Sequence, residues 1–141
     1  MRIFIIYFFI SLSSLAISAP RDNDNKVISI PFKFDNNTLA LSNVTELNKI
    51  SNLVESDPTL KIIVTGHTDN VGDEKYNDKL GLERASAAAN YLEQRFGISK
   101  NNIIVESRGE LDPIASNDTD KGRQLNRRID IYYQHFRINV K

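Results

Sequence analysis

The sequence predicts an α/β (α+β) sandwich in the order β-α-β-α-β-loop-β, with two main helices packed on one mixed sheet. Three observations predict it. Short apolar runs of strand character occur at residues 27–34, 60–65 and 103–105, and an alternating run follows at residues 127–136. Apolar residues at helical spacing fill two of the intervals between these runs. Each helical stretch also carries a stop signal, Asp57-Pro58 for the first and Gly97 for the second.

The elements follow in order. In VISIPFKF, Ile28, Ile30, Phe32 and Phe34 alternate with Ser29, Pro31 and Lys33, the pattern of a half-buried strand. Pro31 cannot donate to a ladder, which places the strand at an edge or the proline on an unpaired side. Asp35-Asn36-Asn37-Thr38 ends it with turn chemistry. A helix is expected from about Asn43, where Asn43-Val44-Thr45-Glu46 has the capping-box arrangement and Val44, Leu47, Ile50 and Val54 form the apolar stripe. Ile62-Ile63-Val64 in the second strand predicts burial on both faces, as in the middle of a parallel sheet. The second helix is expected over residues 82–96, with Leu82, Ala85, Ala89, Leu92 and Phe96 on one face and Gly81 as its N-cap. A third strand at residues 103–105, a polar loop over residues 108–124 and a last strand at residues 127–136 complete the order.

Composition narrows the function. Hydrophobic residues at 40% and charged residues at 26% suit an ordered globular domain. Eighteen basic residues against eighteen acidic ones leave no net charge, so a bulk footprint for nucleic acid is absent. There is no cysteine, hence neither a disulfide framework nor a lipid-modified cysteine. Residues 1–18 read as a secretory signal peptide: Arg2 precedes an apolar run from Ile3, and Ala16-Ile17-Ser18 supplies the cleavage site. The run from Ile3 to Ile17 is broken by serines and falls short of the roughly 20 apolar residues of a membrane span. Residues 19–26 then form a short linker and residues 27–141 the domain.

The polar residues point to binding rather than chemistry. His67 and Asp69 form an H-x-D beside Glu74, but His135 lies far along the chain, so the ligand set of a zinc site is not present. His67 instead reads as a strand-end residue whose ring nitrogens bond backbone or loop groups. No cysteine nucleophile, G-x-S-x-G elbow or phosphate-cradling glycine motif occurs, so neither an enzyme nor a cofactor is expected. Asp69 is expected at the carboxyl end of a central strand, where α/β folds place ligands. Arg84 is expected in the first turn of the second helix, where a cation opposes the helix dipole unless it holds an anion. Charge placement alone leaves two readings open. The two residues pair with each other, or they form a receptor for a zwitterion.

A family resemblance bears on that choice. Gly66-His67-Thr68-Asp69, Gly72, Tyr76-Asn77, Leu80, Arg84-Ala85 and Tyr91-Leu92 resemble the OmpA-like peptidoglycan-binding domain. So do Gly109-Glu110, Pro113, Asn117, Thr119, Gly122-Arg123 and Asn126-Arg127-Arg128-Ile129, with PFKFDNNTL as the opening strand and turn. The resemblance covers about residues 27–133. It implies non-covalent grasp of the diaminopimelate residue of the peptidoglycan stem peptide, tethering the cell wall to the outer membrane or its proteins. By position it implies that Asp69 receives the ammonium, Arg84 holds the carboxylate, Asn77 adds hydrogen bonds, Arg127 is a second basic contact and Asn37 is a further contact. Arg128, one step along the strand, is expected to point the other way, solvated or salt-bridged, and Asn126 to close the preceding turn. Gly81 departs from the serine usual there. The implied location is the periplasm of a Gram-negative envelope, with an outer-membrane protein and a second copy of the chain as open partner questions. The alternative is an inner-membrane-anchored, stator-like wall binder that keeps its N-terminal segment uncleaved.

Overall fold

The computed structural model describes residues 26–134. The expected signal peptide, all but the last residue of the linker and the end of the last strand at Phe136 lie outside the described residues. Four strands and three α-helices follow in order: β1 (Lys26–Pro31), α1 (Leu41–Ser56), β2 (Lys61–His67), α2 (Glu74–Phe96), β3 (Ile103–Gly109), α3 (Asp120–Asn126) and β4 (Arg128–Gln134), with a single 3-10 turn, Lys100–Asn102, before β3. The strands form one mixed sheet in the order β1-β4-β2-β3, with β4 antiparallel to both neighbours and β2 parallel to β3. The expected α/β architecture holds, with a third helix added. The first three strands all run in the same direction, with β4 inserted antiparallel between β1 and β2, so β2 has a parallel neighbour on one side only.

The core forms where the apolar faces of these elements meet. Ile28, Ile30, Ile62, Val64, Ile129 and Ile131 of the sheet pack with Leu47 and Ile50 of α1 and Ala85, Ala88 and Leu92 of α2. Burying an aliphatic side chain of this size contributes about 1.5–3 kcal/mol each, and the β-branched residues suit the pleated surface. Strand β1 lies at the sheet edge, and Pro31 is its last residue, as a proline without an N–H requires. Beyond it, the Phe32 N–H still reaches the Arg127 carbonyl at 2.8 Å. Phe34 departs from the expected alternation and is 58% exposed.

Both long helices start earlier than their polar residues suggest. Helix α1 begins at Leu41 with Ala40 as a cap that makes no side-chain bond. Asn43 does not cap it. Its side chain is buried and donates to the Pro31 carbonyl at 3.2 Å, tying the helix to the end of β1. Helix α2 begins at Glu74, capped by Asp73, whose carboxylate accepts the Tyr76 N–H at 2.7 Å. Gly97 ends it with φ 66°, as expected for a left-handed stop. Gly81 is therefore inside the helix. A Cβ on Gly66 of β2 would fall 1.8 Å from the Gly81 carbonyl oxygen, so the two glycines let strand and helix meet at backbone distance. The buried face also differs from the expected stripe: Arg84 and Ala88 are buried with Ala85, whereas Leu82 is 44% exposed.

The expected polar loop contains α3, capped by Thr119, whose hydroxyl accepts the Gly122 N–H at 3.0 Å. Asn126 does close the preceding turn. Its side chain accepts the Ile114 and Ala115 N–H groups and donates to the Ala115 carbonyl and to Asn117 Oδ1. Arg128 is salt-bridged, with Nε 3.0 Å from Asp130 Oδ2, but it is buried, not solvated.

Candidate functional site

Beyond the carboxyl end of β2, the loop that leads into α2 borders a small pocket. Its walls include Phe34, Asp35, Asp69, Asn77, Arg84 and Arg127, and it encloses about 20 Å³, room for roughly one water. Thr68 anchors the strand end by donating its N–H to the Gly109 carbonyl at 2.8 Å. This contact sets Asp69 at the mouth of the sheet.

Asp69 is buried and does not bond Arg84. One carboxylate oxygen accepts the Val71 N–H at 3.1 Å, and the other accepts Arg127 Nη1 at 2.7 Å. A carboxylate offers about four lone-pair directions, so these two bonds leave acceptor capacity unused. Arg127, between α3 and β4, also lies with its guanidinium 5.9 Å from the centre of the Phe34 ring. Its Nε is buried and has no acceptor among the described residues. A buried cationic donor without an acceptor is costly, and a carboxylate would satisfy it.

Arg84 is fully buried and sits well inside α2, not in its first turn. The helix-dipole argument therefore does not apply to it, and Asp73 already takes up N–H groups at the true helix start. Arg84 donates to three backbone carbonyls: Nε to Asn36 at 2.8 Å, Nη1 to His67 at 2.8 Å and Nη2 to Lys33 at 3.1 Å. Its guanidinium lies 5.3 Å from the centre of the Phe32 ring. Burial pulls its pKa down from the ordinary arginine value to about 10, with Asp69 opposing the shift and Arg127 adding to it. It therefore stays charged at neutral pH. Two of its N–H hydrogens remain uncommitted by the fork geometry.

Asn77 is buried in the same pocket, its Nδ2 donating to Glu110 Oε2. Thus Asp69, Asn77, Arg84 and Arg127 come together. Asn37 does not join them. Its side chain donates to Glu83 Oε2 at 2.9 Å and borders a shallow groove on the outer side of α2. The turn directs the Asn36 carbonyl inward and the Asn37 side chain outward. Sequence reasoning missed Asp35, held at φ 46°, which accepts a hydrogen bond from the Tyr76 hydroxyl across the pocket rim. The turn chemistry at residues 35–38 was the available signal.

His67 lies with its ring buried and Nε2 3.5 Å from Asp130 Oδ2, so a carboxylate faces it where backbone or loop partners were expected. Among the described residues no group of three His, Cys, Asp or Glu side chains could hold a metal ion.

Comparison with known proteins places this geometry in context. A family model described as the OmpA family matches residues 31–127. "Outer membrane protein A" of Bordetella avium is 40% identical over 100 residues, covering 71% of this chain and 51% of that protein. "Peptidoglycan-binding protein ArfA" of Mycobacterium tuberculosis is 35% identical over 109 residues, covering 76% of this chain and 33% of ArfA. The chain thus spans about half the length of the first relative and a third of the second. Among solved structures, the peptidoglycan-associated lipoprotein from Burkholderia pseudomallei superimposes with a TM-score of 0.71 at 29% identity, covering 75% of this chain and 89% of that one.

Proposed function

Because the chain belongs to the OmpA family, we propose that it binds peptidoglycan without covalent chemistry, through the diaminopimelate residue of the stem peptide. The observation that carries the reading is one pocket lined by a buried carboxylate, Asp69, by two guanidinium groups, Arg84 and Arg127, and at its rim by a second carboxylate, Asp35. A free amino-acid end has the matching pair of charges. Its ammonium would take the unused acceptor sites of Asp69 and the Asn77 carbonyl. Its carboxylate would take Arg127 Nε and the remaining hydrogens of Arg84. Acting as a tether, the domain would hold the wall from the periplasmic side of the outer membrane and perform no turnover. The names of ArfA and of the peptidoglycan-associated lipoprotein support this reading.

Two measurements test it. Purified cell wall carrying diaminopimelate should sediment the protein, and Asp69→Asn, which keeps an acceptor for the Val71 N–H, should lose at least about tenfold in affinity. Calorimetry should show binding of a stem tetrapeptide containing diaminopimelate and much weaker binding of its lysine counterpart, which lacks the second carboxylate. Equal affinity for the two peptides would remove the zwitterion from the reading.

A further inference from the structure

We propose that Glu110 is a positioning residue: by accepting the Asn77 Nδ2–H, it turns the Asn77 carbonyl oxygen toward the pocket and makes that wall selective for an N–H-bearing cation. The inference rests on the pocket being the ligand site, but its first observation does not depend on any ligand.

An asparagine amide presents a donor or an acceptor according to which way it is turned. Carboxylates only accept. Asn77 is buried, and Glu110 meets its Nδ2, so the amide orientation is determined: the other end, Oδ1, is left for the pocket. That oxygen lies 3.8 Å from where a Cβ on Gly72 would stand, on the side of the Asp69–Gly72 loop. Asp69 and Asn77 thus both bring acceptor oxygens to the pocket that Arg84 and Arg127 also line.

The backbone holds Glu110 in place. Gly109 has φ 48°, and a Cβ there would stand 3.2 Å from the Asp78 nitrogen and 3.4 Å from the Asn77 carbonyl carbon. The end of β3 thus presses directly on the helix peptide that carries Asn77. The Gly109 carbonyl accepts the Thr68 N–H, one residue before Asp69. Glu110, Asn77 and Asp69 are therefore registered to one another through short backbone contacts. Glu110 itself does not line the pocket. It acts through Asn77.

The test uses the full chain as wild type, Glu110→Ala and Glu110→Ala/Asn77→Asp, each checked for unchanged melting. In the double variant a carboxylate replaces the amide and accepts whichever way it turns, so no orienting partner is needed. Ligands are diaminopimelate and pimelate, which keeps the carboxylates and lacks the ammonium groups. Glu110→Ala should weaken diaminopimelate by about tenfold and leave pimelate unchanged, shrinking the ratio of affinities; the double variant should restore the ratio. An equal loss for both ligands, or no restoration, overturns the proposal. The second readout is side-chain amide exchange of Asn77 by NMR in the free protein. Slow exchange in wild type and fast exchange in Glu110→Ala supports the orientation, and fast exchange in both overturns it. If wild type binds neither ligand, the wall-binding reading fails, while the exchange measurement still decides the role of Glu110.

Discussion

Arg84 joins three separate backbone segments through one side chain, since the carbonyls of Lys33, Asn36 and His67 all accept from it. A buried acceptor left without a donor costs about 1–3 kcal/mol, and of the three the His67 carbonyl is the buried one, so Arg84→Ala should lower stability by about 1–3 kcal/mol in thermal or urea unfolding. Arg84→Lys should fall between, because an ammonium cannot reach three divergent carbonyls at once. A variant at this position that fails to bind the wall therefore says little until its folding is measured, whereas Asp69→Asn is the cleaner probe. Tyr76 supplies a second residue-scale prediction. Its phenol donates to Asp35, and that bond raises its pKa above the ordinary value of 10.0, with the nearby Asp35 charge adding to the shift. Because the folded state holds this proton more tightly, the associated stability is present below pH 10 and is lost as pH rises through the folded value. Asp35→Asn should move the Tyr76 titration, followed by NMR of its ring, back toward 10. No change would mean that the hydroxyl–carboxylate bond is absent in solution.

At the scale of elements, the meeting of α2 with β2 and β3 depends on the absence of side chains. A Cβ on Gly81 would lie 2.3 Å from Ser107 Oγ and 3.1 Å from the Gly66 carbonyl oxygen. Alanine in a helix interior is favoured over glycine by about 1 kcal/mol, yet overpacking costs about 1–3 kcal/mol, so Gly81→Ala should be net destabilising. Ser107 Oγ cannot simply swing away, because it accepts the Gly109 N–H at 3.0 Å. With Ser107→Ala the nearest obstacle becomes the Gly66 carbonyl, and the penalty should shrink. A double-mutant cycle by urea unfolding should give a coupling of about 1 kcal/mol between the two positions. Additive effects would show that the helix already rides clear of Ser107. The same contact explains what the sequence concealed. The strand runs, the α1 stripe and the Gly97 stop were legible because apolar periodicity and a left-handed glycine are local signals. The first turns of α2 were not, since EKYNDKLG is mostly polar and ends in a glycine that local propensity reads as a boundary. Only the opposing Gly66, far away in sequence, explains why a glycine belongs inside that helix.

For the whole molecule, the pairing of Asp69 with Arg127 was out of reach of sequence reasoning for a topological reason. It requires knowing that β4 inserts between β1 and β2, which brings residues fifty-eight apart into contact. The same topology leaves the pocket small. About 20 Å³ accommodates a water rather than an amino-acid end, so the proposed binding would be helped by an outward movement of the rim. One wall of that rim is the segment after β1, tied to α2 by Arg84 beneath, by Asp35 and Tyr76 at the edge, and by Asn37 and Glu83 outside. When only the open fraction of molecules binds, apparent affinity scales with that fraction. Loosening an outer tie should raise the fraction. Asn37→Ala removes an exposed tie worth little to stability and leaves every pocket-lining residue in place. As a closing strut, Asn37 should give a variant that associates faster with the stem tetrapeptide and binds it at least as tightly as wild type. As the ligand contact that the family resemblance implies, it should give a variant that binds more weakly through faster dissociation. Stopped-flow association and dissociation rates for this one substitution separate the two, and weaker binding with an unchanged association rate would return Asn37 to the site.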